Sequence, residues 1–146
     1  AGAKLIEVKG PLKISANVFS TGELGTWIKE ESLIIKTNLG LIIITGCAHP
    51  GVVNIVKKAK AIVSSTAKVY MVIGGFHLCG MNGSQIRGIV NDLKKEGVKK
   101  VAPCHCSGNL ARRIFKKEYG NDYILAGAGK KFELIDAFSA TTINKN

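Results

Sequence analysis

Arginine, aromatic rings, long apolar runs and mid-chain carboxylates are all scarce in this sequence, and each scarcity removes a class of function. Only three of the 21 basic residues are arginine and aromatics make up 6%. The bidentate forks and stacking platforms that grip nucleic acid are therefore thin. The longest apolar stretch is Leu39–Ile44 with Thr45–Ala48 behind it, far short of the roughly 20 residues of a membrane span. The opening Ala1–Gly10 carries three charges and no apolar core, so no secretory signal is read there and a cytoplasmic location is expected. No Cys-x-x-Cys pair occurs among the four cysteines, and a disulfide framework is not expected in an intracellular protein. No Pro-rich or low-complexity linker divides the chain. No Asp or Glu stands between Glu31 and Asp92, which leaves that stretch without a local acid or base.

What remains suffices for one domain. The 146 residues are 46% apolar and 21% charged, a globular composition able to bury a core. The formal net charge of +11 attracts anions. The lysines, however, come in pairs such as Lys57–Lys58, Lys94–Lys95 and Lys116–Lys117, and these read first as solvated faces. Abundant Lys, Ile and Val with a single glutamine fit a thermophile.

Periodicity divides the chain in two. Ile14–Phe19 and Trp27–Ile28 read as short strands, and Ser32–Thr37 and Leu41–Thr45 as a hairpin turning at Asn38-Leu39-Gly40. Beyond these, strands and helices alternate. Val52–Val63 carries an apolar stripe at helical spacing, Lys68–Ile73 reads as a buried strand, and Ser84 is the expected cap of a helix ending at Gly97. Lys99–Pro103 reads as a strand, and Ser107 as the cap of a third helix ending near Gly120. Tyr123–Ala126 and Lys131–Ile135 are the expected final strands, before a frayed tail Ala140–Asn146. The middle is thus β-α-β-α-β-α, which predicts parallel strands buried on both faces and a ligand site outside their carboxyl ends.

The three histidines, His49, His77 and His105, each follow an apolar strand and precede a helix, and both spacings are 28 residues. Right-handed crossovers would set such equivalent positions side by side at one sheet edge. A single His in such a place is as well explained by a hydrogen-bonded, partly buried ring. Three in one topological slot point to a shared crevice, and imidazole suits Zn, Fe or Mn. Every cysteine lies within two residues of a histidine. Cys47 and Cys79 read as small apolar filler at strand ends, while Cys104 and Cys106 stay open between filler and thiolate ligand.

The runs SLIIKTNLGLIIITGCAHPGVVNIV, VIGGFHLCG and VAPCHCSGNLA, in that order, resemble the second half of the metallo-β-lactamase superfamily. Within it they look like the branch related to dihydropterin–ribofuranosylaminobenzene-phosphate synthase, over about Val18 to Leu134. The resemblance implies an α/β fold: half of an αββα sandwich, a mixed sheet with a βαβαβα run, residues 1–146 forming one domain. It also implies one or two divalent ions, zinc first with manganese or iron as alternatives. His49 and His105 match expected metal ligands, and His77 matches a catalytic position, as ligand or substrate contact. Cys47, Cys104 and Cys106 would line the site.

One departure is decisive. The superfamily's His-x-His-x-Asp-His motif is absent, and GCAH stands where an Asp is usual. The expectation is half an active site, inactive alone and completed by an N-terminal half or a partner chain carrying that motif. The start AGAK, without Met, favours a piece of a longer protein. An uncovered sheet face or edge would invite a partner or a homo-oligomer. The expected function is a metal-dependent hydrolase or transferase acting on a small anionic, phosphorylated substrate. The alternatives are an RNA-processing relative, marked by steep salt dependence, and a non-catalytic metal-binding module.

Overall fold

The computed structural model describes residues 2–133. Six strands form one sheet in sequence order: β1 (Leu12–Ser15), β2 (Val18–Ser20), β3 (Ser32–Thr37), β4 (Gly40–Thr45), β5 (Val69–Gly75) and β6 (Val98–Cys104). The first four run antiparallel as a meander, and β4, β5 and β6 are parallel. The parallel pairs are joined by α1 (Val52–Val63) and α2 (Gly83–Lys95), and α3 (Asn109–Tyr119) follows β6. The mixed α/β architecture expected from the sequence is the one observed. Among the described residues no helix is long and apolar enough to cross a membrane.

The two crossovers join neighbouring parallel strands, and α1 and α2 pack on the same face in one core. Ile34, Leu41, Ile43, Val69, Val72, Val98 and Val101 point to that face and join Ile55, Val56, Ile86, Val90, Leu93 and Phe115 in one core. Each fully buried aliphatic chain contributes about 1.5–3 kcal/mol of transfer free energy. Strand alternation turns Leu33, Ile35, Ile42, Ile44, Met71 and Ile73 to the opposite face, and the register sets Leu33 beside Ile44, and Ile44 beside Ile73. That face is apolar but no described helix covers it, and Leu33 and Ile44 are 39% and 38% exposed. Burial on both faces, expected from the continuous apolar strands, holds in part: Ile42, Met71 and Ala102 on this second face are buried as well, while Leu33 and Ile44 are not.

Several local expectations are corrected. Ile14–Phe19 is not one strand: the chain turns at Ala16-Asn17, so β1 and β2 form a hairpin with Lys13 opposite Phe19. Trp27–Ile28 lies in a loop closed by paired backbone bonds between Leu24 and Glu30, 2.7 and 3.0 Å. Ser84 is not the cap of α2. Asn82 is, accepting from the Ser84 and Gln85 amides while Gln85 accepts from the Asn82 amide. Asn82→Ala should destabilise the protein by about 1 kcal/mol, read as a lower Tm or denaturation midpoint. Ser107 does not cap α3 either; Gly108 occupies that position. Tyr123 makes only an isolated bridge with Val101 in place of the strand Tyr123–Ala126. Residues 131–133 of the expected last strand are irregular, and the rest of it, with the tail from Ala140, lies outside the described residues.

Candidate metal centre

The carboxyl ends of β4, β5 and β6 lie side by side, Thr45 level with Gly74 and Gly74 level with Pro103. Each is followed by a turn bearing one histidine, and each turn contains a non-glycine residue in the left-handed region. These are Ala48 with φ 61°, His77 with φ 49° and His105 with φ 47°. Such backbone costs of order 1–3 kcal/mol per residue and persists where the surroundings enforce it, characteristically at functional sites. Here Ser107, fully buried, ties two of the turns together. Its hydroxyl donates to the Cys104 carbonyl at 2.7 Å and accepts from the Phe76 amide at 3.1 Å.

His49 and His77 meet directly, their ring centroids 4.3 Å apart. Glu30 clamps His49. One carboxylate oxygen takes the Nδ1–H and the other accepts from the His49 backbone amide at 3.2 Å. With Nδ1 so engaged, Nε2 keeps its lone pair for a ligand, the arrangement that orients metal-binding imidazoles. The apparent lack of a carboxylate is thereby corrected. Glu30 stands one residue outside the acid-free stretch and reaches the site from the loop before β3. Nothing local in the sequence marks it, because the contact spans 19 residues.

His105 lies in a second, overlapping cluster. The donor atoms of Cys47, His105 and Cys106 are all within 4.8 Å of one another, as are those of Glu30, Cys47 and His49. Cys47 belongs to both. It is half-buried, and burial pushes its thiol above the ordinary value, with the Cys106 thiol and the Glu30 carboxylate acting in the same direction. Cys104 is half-buried at the end of β6 and joins neither cluster. Cys79 is exposed, so it is not buried filler. Beside the His49–His77 pair opens a cavity of about 600 Å³ whose walls include Leu24, Trp27, Ile28 and Pro50. Trp27 stands 94% exposed at its rim.

These features can be set beside known proteins. Over 101 residues, 69% of its length, the chain is 46% identical to the 7,8-dihydropterin-6-methyl-4-(β-D-ribofuranosyl)-aminobenzene-5′-phosphate synthase of Methanocaldococcus jannaschii. Over 89 residues it is 33% identical to an uncharacterized protein of the same organism. It spans about a third of the length of these relatives, 34% and 32%. A solved metal-dependent hydrolase of the β-lactamase superfamily superimposes with a TM-score of 0.78 at 30% identity, covering 90% of this chain and 58% of the other. No family model matches the sequence. The resemblance carried by the GCAH, GGFHL and PCHC strings is borne out in both sequence and fold. The chain belongs to the metallo-β-lactamase superfamily.

Proposed function

We propose that this chain supplies part of the active site of a metal-dependent hydrolase or transferase acting on a small anionic, phosphorylated substrate. His49 and His105 hold a divalent cation, zinc before manganese or iron, and His77 contacts the substrate. The observation that carries this reading is the convergence of three strand-end turns, with His49 against His77 and Cys47 bridging toward His105. An imidazole and thiol donor set fits zinc or iron better than a hard oxygen-seeking ion. The cation would supply Lewis acidity toward a phosphoryl or carbonyl group.

The chain's own residues divide the remaining work. Glu30 fixes the tautomer and direction of His49. His77 borders the open cavity and can donate a hydrogen bond to an anionic oxygen. The surplus of 11 positive charges raises the local concentration of anions, and the name of the synthase relative points to a phosphate-bearing molecule. Completion by an N-terminal half or a partner chain carrying His-x-His-x-Asp-His is supported by the exposed apolar patch of Leu33 and Ile44 on the second sheet face. The short span relative to known relatives agrees with it. A second copy packed on that face would make a homo-oligomer instead.

The test is calorimetric titration of the chain with phenyl phosphate, with and without zinc. Zinc-dependent binding is expected, weakened by about tenfold or more in His77→Ala, the cost of one hydrogen bond to a charged group. Wild-type protein that binds phenyl phosphate no better with zinc than without would contradict the proposal.

A further inference from the structure

We propose that Cys47, His105 and Cys106 form a thiolate–imidazole site for a soft or borderline cation of the zinc and copper(I) class, built entirely within this chain. The inference rests on the reading of His105 as a ligand and adds two sulfur ligands to it.

The donors come from two turns on either side of β5. Cys47 follows β4, while His105 and Cys106 follow β6. Their donor atoms already lie within 4.8 Å of one another. A cation about 2.3 Å from each sulfur and about 2.0 Å from the nitrogen needs donors roughly 3.5–4 Å apart, so a closure of about 1 Å completes the geometry. The Cys106 thiol donates to the Cys47 carbonyl at 3.5 Å, which holds one turn on the other.

Gly75 makes this approach possible. A Cβ built there would stand 2.7 Å from Cys106 Sγ and 3.1 Å from Cys47 Cα. The end of β5 is thus bare where the two sulfurs gather above it. All four cysteines are free thiols.

The overlapping group of Glu30, Cys47 and His49 is the weaker set, because both Glu30 oxygens are engaged by His49. His105, by contrast, is exposed, and among the described residues its backbone carbonyl accepts from Arg112 at 3.4 Å. His105 is held at φ 47°, a conformation that nothing else about its ring explains. Two thiols and one imidazole select soft and borderline ions over magnesium, calcium or manganese. The resulting centre would draw one sulfur from Cys47, which looks like filler in sequence, and the other from Cys106, whose role the sequence leaves open.

The chain, reduced with a phosphine, is titrated with cadmium while the ultraviolet thiolate-to-cadmium charge-transfer absorption is followed. The expected band saturates at one cadmium per chain, resists a tenfold excess of manganese, and falls by about half in Cys47→Ser and in Cys106→Ser, one sulfur being lost in each. It persists in Cys104→Ser, whose thiol joins neither cluster. Cadmium NMR of the wild-type chain reads the number of bound sulfurs directly and needs no variant to fold. No band, a band unchanged in both Cys47→Ser and Cys106→Ser, or a cadmium shift without sulfur would each overturn the proposal. Zinc-dependent binding of phenyl phosphate that survives in the Cys47→Ser/Cys106→Ser double variant would remove the thiolate site and leave the hydrolase reading standing. A two-sulfur cadmium site without zinc-dependent phosphate binding would do the reverse.

Discussion

Alanine at His49 or at His105 is expected to lower the affinity of the chain for zinc by about 100-fold or more. Loss of a partner that merely orients a ligand costs 10–100-fold, and loss of a ligand costs at least the upper end of that range. The two positions are held differently, and this sharpens the comparison. His49 is fixed by Glu30 through both a ring and a backbone hydrogen bond. Glu30→Gln should therefore weaken zinc binding by only about tenfold, since the amide oxygen can still accept one bond. His105 is fixed by its own backbone, at φ 47°, and by the buried Ser107 two residues on. Competition titration against a chromogenic chelator measures all three variants. Unchanged affinity in both His49→Ala and His105→Ala would remove these residues from the metal site.

Gly74→Ala is expected to be the most destabilising of the conservative substitutions around this site, by about 3 kcal/mol or more, with Tm falling by roughly 10 °C. Gly74 has φ 137°, a conformation that L-residues rarely adopt. A Cβ there would sit 2.1 Å from the Thr45 carbonyl oxygen and 2.8 Å from Thr45 Cγ2. The obstruction is the backbone of β4, which cannot move without breaking its pairing with β5. Gly88 is the contrast. It lies in α2 with nothing within 4 Å of the built Cβ, so Gly88→Ala should stabilise by about 0.5–1 kcal/mol. Thermal unfolding of the two variants beside wild type checks both, and a Gly74→Ala protein as stable as wild type would refute the packing described here.

The strands and helices that set the three turns were legible because their signals are local. Val52–Val63 shows helical spacing and β-branched Ser32–Thr37 and Leu41–Thr45 flank a glycine turn; the elements found are α1, β3 and β4. The repeated 28-residue spacing between histidines survives as three neighbouring strand ends. The first thirty residues were less legible. Ile14–Phe19 alternates polar and apolar residues across a tight turn, so a hairpin reads as one strand. Trp27 and Ile28 have strand-like side chains but are 94% and 47% exposed, and only the tertiary contact of Glu30 with His49 gives their loop a purpose. The neighbours of Cys47 were not legible for a similar reason. Beside a glycine at a strand end a thiol looks like filler, and its closeness to His105 and Cys106 arises from pairing between strands remote in sequence. Helix caps were missed where Asn82 and Gly108 competed with the more obvious Ser84 and Ser107.

The central claim is that the turns after β4, β5 and β6 hold a metal ion. Native mass spectrometry of the chain, isolated without chelator and then titrated with zinc, tests it most directly. The account predicts a zinc adduct that persists through desalting, and that is lost in a variant carrying both His49→Ala and His105→Ala. A metal-free mass throughout the titration, with the chain folded, would contradict it.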